Sequence, residues 1–400
     1  MTLPTPLQQL RRELHRHPEL GLHLPDTRAR IERELAPLDI ELSFSEQLSS
    51  IVGVLRGNPT GRAVLLRADM DALPVAEPAG LEYASERPGA MHACGHDLHM
   101  AGLVGAARLL AARRDDLEGD VVFMFQPGEE RLGGARIMLA EGVLDAAGPR
   151  VGAAFAVHVS PGARGTFLTR SGPTLAGSNE LRVRIVGQGG HGSQPHTARN
   201  PIPVAAEAVG VMQSFTARRL DPFDSAIITP TVIRAGDAIN VIPESVELGA
   251  TVRNFSAATL ARVGSDLVEE LKGLARAHGM TAEVTLNIDY PVTVNDGVAT
   301  EWAVAELAEL LGAERVAELA QPIMGSEDFA YVAERVPSTI FMLGASPDGV
   351  EPSTAAPNHS PRVVFDDAVL DDQAAALAAL AEGWLARGWR ALGDRAEVDA

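Results

Sequence analysis

The chain has 400 residues, 46% of them apolar, and a formal net charge of −19. That is enough apolar material for a large buried core and roughly two domains, which excludes a disordered or fibrous chain. The acidic excess runs along the whole sequence and repels phosphate backbones and anionic bilayers, so neither nucleic acid nor membrane is expected as a partner.

The stretch Met1–Leu24 mixes Arg, Glu, His and Leu without an apolar run suited to a signal peptide, and no later stretch is long enough to span a bilayer; a cytoplasmic location is expected. Ala63–Arg67 is the first short apolar run that reads as a buried strand. The turn at Cys94 follows, then a helix over Leu98–Arg113 with Asp97 placed to act as its N-cap. Val121–Phe125 and Ala153–Val159 are the next two buried strands.

From Leu175 to Tyr290 the pattern changes to strand, helix, two strands, helix and strand: Glu180–Val186, Ile202–Arg219, Ala226–Ile233, Glu244–Arg253, Ala257–His278 and Thr281–Ile288. That order resembles a ferredoxin-like α+β insert. Helical patterning then returns, with a last buried strand at Thr339–Leu343. The chain is therefore expected to form a discontinuous α/β domain, 1–176 plus 290–400, interrupted by a smaller domain, 177–289.

Cys94 is the only cysteine, so an intramolecular disulfide is impossible, and a thiol among histidines reads as a ligand or a nucleophile. Lys272 is the only lysine and sits in the amphipathic run Leu267–Ala275, which argues against Schiff-base and Walker-type chemistry. In Cys94-Gly95-His96 a thiol and an imidazole stand two residues apart, with a glycine that lets the backbone aim both at one centre. The strand at Val121–Phe125 runs into Gly128-Glu129-Glu130, adjacent carboxylates beyond a strand's C-terminal end, where α/β sheets present their chemistry. One of such a pair can bind metal while its neighbour takes a proton from a bound water. His158 ends another apolar run, and His359 lies in the loop Pro357-Asn358-His359-Ser360-Pro361. Singly, each reads as an ordinary core or surface residue; together, all fall just after strands or in adjoining loops.

Seven segments make the pattern specific: Leu14-His15-Arg16-His17-Pro18-Glu19-Leu20, Arg67-Ala68-Asp69-Met70-Asp71-Ala72-Leu73-Pro74, the Cys94/His96 turn, Gly128-Glu129-Glu130, Gly190-His191-Gly192, Gly325-Ser326-Glu327-Asp328-Phe329 and Asn358-His359-Ser360. Over essentially its whole length the chain resembles the metallopeptidase family of aminoacylases, hippurate hydrolases, carboxypeptidases and auxin-conjugate amidohydrolases, and within it the bacterial N-acyl amino acid amidohydrolase branch.

The resemblance implies a three-layer catalytic domain with a central mixed sheet, and an insert that serves as dimerisation domain and lid in a homodimer or higher homo-oligomer. It implies Cys94, His96, Glu130, His158 and His359 as ligands of two divalent ions, drawn from Zn, Mn, Co or Ni, with Glu129 as general base. Other branches start their site with Gly-His-x-Asp, whereas Ala68-Asp69-Met70-Asp71 lacks that histidine; Asp71 is then expected to orient a ligand from outside the coordination shell. His191 matches the histidine that steadies the developing oxyanion in the partner subunit's site. Asn240 and Arg253 match substrate-holding positions, the guanidinium being shaped to clamp an α-carboxylate. The expected reaction is hydrolysis of an N-acyl amino acid to a carboxylic acid and a free amino acid. A di- or carboxypeptidase and a non-catalytic ligand-binding relative are the alternatives.

Gly187-Gln188-Gly189-Gly190-His191-Gly192 also fits the dinucleotide fingerprint Gly-x-Gly-x-x-Gly. Pro195, Pro201 and Pro203 postpone the helix that such a site needs at its glycines, which argues against a nicotinamide cofactor. No Gly-x-Ser-x-Gly elbow is present, which disfavours a serine hydrolase.

Overall fold

The computed structural model describes residues 3–397. The chain divides into two compact units, Met1–Thr174 with Val294–Gln321 and Tyr331–Ala400, and Leu175–Thr293 with Pro322–Ala330.

The first unit is built on an eight-stranded mixed sheet: β1 Glu41–Phe44, β2 Ile51–Leu55, β3 Ala63–Asp69, β4 Asp120–Gln126, β5 Ala154–Ser160, β6 Phe167–Thr169, β11 Val316–Glu318 and β12 Ser338–Gly344, in the order β1-β2-β4-β3-β5-β12-β6-β11. The middle four, β4, β3, β5 and β12, are mutually parallel, with Asp69 level with Gln126 and His158 level with Met342. Strands buried on both faces read as continuous apolar runs, and every residue of β3 and of β12 is buried. This parallel centre puts four strand C-termini along one edge, where loops can carry side chains toward a common point. Helices α1 Pro6–Arg16, α2 His96–Ala111, α5 Gly297–Leu311 and α6 Leu370–Ala386 contribute to the core, in which Phe155, Trp302 and Trp384 meet edge to face and tilted at 5.2–5.8 Å between ring centres. A capping box of Thr5 and Gln8 starts α1, whose Leu7, Leu10 and Leu14 are buried.

The second unit carries a four-stranded antiparallel sheet of β7 Gly177–Val186, β8 Ala226–Arg234, β9 Ser245–Asn254 and β10 Thr281–Tyr290, in the order β8-β9-β7-β10. Helices α3 Pro201–Arg219 and α4 Val268–Ala277 share its apolar core. The alternation of buried and exposed residues along β7 and β9 is that of a sheet with one solvated face. With its βαββαβ order this unit is ferredoxin-like, so the fold class read from the sequence holds. The helix read over Ala257–His278 forms with a π turn inside it: α-helical Ala257–Arg262 runs through Val263–Leu267 into α4. Among the described residues no helix is long and apolar enough to cross a membrane.

Candidate metal centre

Residues from four loops converge at the C-terminal edge of the parallel strands. Asp71 follows β3, Glu129 and Glu130 follow β4, His158 lies at the end of β5, and His359 arrives from the segment beyond β12. Cys94 and His96 bracket the start of α2. Gly95 makes this possible: its φ is +89°, and a Cβ there would stand 2.3 Å from a Val159 methyl, so only glycine fits the turn. Two groups with ligand atoms within 4.8 Å of one another share the thiol, Cys94/His96/His158 and Cys94/Glu130/His359. A third, His96/Glu129/Glu130, brings in the second carboxylate.

Hydrogen bonds set which atoms face this centre. His96 Nδ1 donates to the Asp71 carbonyl oxygen at 2.7 Å, which leaves Nε2 as a lone pair, buried and without a hydrogen-bond partner. Burial holds this imidazole at about 3, His99 and His158 pushing the same way against Asp69, so it is neutral. His158 Nδ1 donates to the Val159 carbonyl at 2.8 Å, turning Nε2 toward the Cys94 sulfur 3.5 Å away. His359 Nε2 lies 3.3 Å from that sulfur and 3.1 Å from Glu130 Oε1, and this contact to Glu130 raises the imidazole above its usual value. His359 adopts a left-handed backbone with φ of +69°, a strained conformation for a non-glycine residue that is found disproportionately at functional sites. Its N–H donates to the Ala93 carbonyl, and Asn358 Nδ2 bridges the carbonyls of Cys94 and Val159 at 3.2 Å each.

The donor set fits a soft to borderline divalent metal. It offers two imidazole Nε2 atoms turned inward, a thiol, a third imidazole and a carboxylate, in a site where the buried His96 Nε2 has no hydrogen-bond partner. Burial, then Glu130 and Glu129, push the Cys94 thiol well up, so a thiolate here requires a cation beside it. Asp71 stands outside the three groups. Its Oδ1 accepts the Glu129 N–H at 2.9 Å and its Oδ2 the Glu130 N–H at 3.1 Å, fixing the loop that carries both glutamates. Burial pushes Asp71 well above the carboxylate range, Asp69 and Glu130 adding to that, against the pull of the two N–H groups.

The second unit holds the other three residues read from the sequence, in two places. A two-residue ribbon pairs His191 with Val241, and the Gly192 N–H donates to the Asn240 carbonyl at 2.8 Å, so His191 and Asn240 are neighbours; both are exposed. Ser193 Oγ approaches His191 Nδ1 at 2.9 Å. Arg253 lies on β9, opposite Ser178, whereas the ribbon joins the other end, where Ser245 faces Val186. At about 3.3 Å per residue these ends are about 25 Å apart, so the unit does not bring Arg253 to His191 and Asn240. The helix after the glycines begins only at Pro201, capped by Asn200, which removes the dinucleotide-site geometry.

A family model described as Peptidase family M20/M25/M40 matches residues 65–383. The chain belongs to this family. Thermostable carboxypeptidase 1 of Saccharolobus solfataricus is 35% identical over 92% of this chain and 93% of that protein, and N-acetylcysteine deacetylase of Bacillus subtilis is 36% identical over 86% and 89%. The crystal structure of the Bacillus subtilis YXEP protein, a dinuclear metal-binding peptidase of the M20 family, superposes with a TM-score of 0.82 at 33% identity, covering 95% of this chain and 98% of that one. Membership makes the protein a metal-dependent hydrolase of linear amide bonds.

Two features of this family member's site differ from the sequence reading or escaped it. Asp97 is not the N-cap of α2; Gly95 occupies that position without a side-chain cap. The Asp97 carboxylate instead takes hydrogen bonds from Arg11 Nε at 2.7 Å and His15 Nδ1 at 2.8 Å, long-range partners that outcompete a local cap. Burial alone would raise Asp97, but Arg11 and His15 hold it well below the carboxylate range. Asp69 and His99 also form a buried pair at 2.5 Å beside His96. Because the Val159 N–H donates to His99 Nε2 at 2.8 Å, the His99 proton is on Nδ1, facing Asp69, and neither ring nitrogen is left for a metal. Burial opposes the Asp69 charge, but Arg67, His96 and His99 keep it well below the usual range, with Arg67 Nη1 at 2.6 Å. The spacing of His96 and His99, three apart on one helix face, was the available signal.

Proposed function

We propose that the protein hydrolyses N-acyl amino acids, with Cys94, His96, Glu130, His158 and His359 holding two divalent ions and Glu129 acting as general base. The observation that carries this reading is the pair of ligand groups sharing Cys94, set beside the adjacent carboxylates Glu129 and Glu130. When bound, the ions supply Lewis acidity, lowering the pKa of water and polarising the amide carbonyl. Glu129, 6% exposed and fixed by Asp71 at its N–H, takes the proton from the attacking water and delivers it to the leaving nitrogen. The carbonyls of Asp71 and Val159 hold His96 and His158 with Nε2 turned inward, and His96, kept neutral by burial, has no proton to lose there on loading.

Arg253 clamps the substrate α-carboxylate, while Asn240 holds the substrate and His191 donates to the oxyanion. The separation of Arg253 from His191 and Asn240 favours a site completed by two chains, with His191 and Asn240 supplied by the partner of a homodimer. Edge strand β8 exposes Ile227, Val232 and Ile233 and suits pairing with its counterpart in a second copy. A reducing cytoplasm keeps the single buried Cys94 available as a ligand.

The test is a panel. Metal-stripped protein is loaded separately with Zn, Mn, Co and Ni and assayed for amino-acid release from N-acetyl, N-benzoyl and indole-acetyl amino acids and from dipeptides. Hydrolysis of an N-acyl amino acid that is abolished by blocking its α-carboxylate supports both the reaction and the Arg253 clamp. Cleavage of dipeptides alone transfers the assignment to a carboxypeptidase, the activity in the name of the Saccharolobus relative. Bound metal without turnover leaves a non-catalytic binding protein.

A further inference from the structure

The segment Leu14–Leu20 carries part of the family likeness, yet none of its residues enters the proposed reaction. Its structure connects it to both supports of the metal centre. His15 lies between two carboxylates, Nδ1 2.8 Å from Asp97 and Nε2 3.1 Å from Glu77, and is 2% exposed. Arg11, one turn earlier on the same face of α1, donates to the same Asp97 oxygen at 2.7 Å. Asp97 follows His96 directly in the first turn of α2. Tyr83 closes the cluster, its ring centre 4.6 Å from the Arg11 guanidinium and 5.5 Å from the His15 ring centre. At the other arm, the Glu19 carbonyl accepts the Ala72 N–H at 2.8 Å, next to Asp71, while its carboxylate accepts the Thr27 N–H at 2.7 Å.

This network is a costly way to dock a helix. Leu7, Leu10 and Leu14 already anchor α1 in the core, and buried ion pairs contribute little net stability over well-packed apolar side chains. Asp97 Oδ1 and both ring nitrogens of His92 are buried without hydrogen-bond partners, which adds to the cost. What the network does secure is orientation: with its carboxylate held from two directions, Asp97 fixes the first turn of α2 and the Cys94-Gly95-His96 segment leading into it.

We infer that Arg11 and His15 are positioning residues of the metal centre, holding Asp97 so that the Cys94 thiol and the His96 imidazole are presented to the same ion. This rests on the metal-centre reading proposed above. Supporting partners of this kind change metal affinity by about 10- to 100-fold when removed.

The experiment uses full-length, metal-stripped protein titrated with Co(II) against a chromophoric chelator, following affinity and the thiolate-to-cobalt absorption band, with melting of the metal-free form measured alongside. His15→Leu and Arg11→Met weaken Co(II) binding by about 10- to 100-fold and alter the thiolate band. His15→Asn, whose amide N–H takes the place of Nδ1–H toward Asp97, restores most of the affinity. Glu77→Gln, which leaves the Asp97 bond intact, keeps it. Wild-type affinity and band in Arg11→Met and His15→Leu overturn the inference, as does equal loss in His15→Asn and His15→Leu. If His15→Leu does not fold, the comparison of Arg11→Met with Glu77→Gln decides. Cys94→Ser separates the two levels: unchanged cobalt binding in that variant, with no thiolate band in the wild type, removes the metal-centre reading itself. Loss of binding there with unaffected His15 and Arg11 variants removes only the positioning role.

Discussion

Asp71→Asn is the most informative single change, because it keeps size and shape while turning one acceptor oxygen into an NH2 donor and removing the carboxylate charge. In the structure both oxygens take backbone N–H groups, from Glu129 and Glu130, at a residue 1% exposed. An amide has one acceptor oxygen, so one of those N–H groups would face an NH2 donor. Leaving one of these buried N–H groups without an acceptor costs about 1–3 kcal/mol. Relief of repulsion from Asp69 and Glu130 works the other way in the metal-free protein, which places the loss toward the lower end of that range. At under about 2 °C per kcal/mol for a unit of this size, melting of the metal-free form falls by roughly 2–3 °C. Metal affinity has no such offset, since the lost negative charge favoured a cation and the freed loop carries Glu130; it falls by about tenfold or more. Melting curves and chelator competition on the same preparations check both. An Asp71→Asn protein that melts and binds metal like the wild type would refute the claim that this carboxylate organises the glutamate loop.

Glu129→Gln should retain metal and lose about 10²- to 10⁴-fold in turnover; near wild-type rate at confirmed metal content sinks the general-base role. Acid should destabilise the metal-free protein through His92 and His96, both held neutral by burial at about 3. Their folded values lie below the unfolded one near 6.5, so the unfolded chain binds more protons between these limits. Stability is full above that window and is lost as pH falls through it, by about 1.4 kcal/mol per pH unit for each histidine. In His92→Gln that slope is reduced by about one histidine's share, and an unchanged slope in denaturant titrations at pH 6 and pH 4.5 contradicts the assignment. Exhaustive chelation should abolish amide hydrolysis, and readdition of a divalent ion should restore it; activity that survives complete metal removal contradicts a metal-dependent site.

What the sequence made legible was chemistry concentrated in short segments. Cys94 and His96 are two residues apart around a glycine whose backbone must be left-handed, and Glu129 and Glu130 are adjacent at the end of a wholly apolar strand. These are local signals, and the parallel sheet needs only to bring strand ends together for them to meet. The alternating strands of the ferredoxin-like unit were legible for the same reason, since a half-solvated sheet writes its period into the chain. The positions that escaped depend on partners far away. Asp97 has the composition of an N-cap, but side chains from α1, over 80 residues earlier, take its carboxylate. His99 looks like a further ligand until the Val159 N–H fixes its tautomer. The π turn at Val263–Leu267 inside an amphipathic helix has no local signature, because it keeps the apolar residues Val263 and Leu267 buried.

The central claim is tested most directly by titrating metal-free protein with a single divalent ion while counting bound metal and measuring release of free amino acid from an N-acyl amino acid in the same samples. The account predicts no turnover without metal and full turnover at two ions per chain. No amide cleavage at any loading, or full activity before metal is bound, would contradict it.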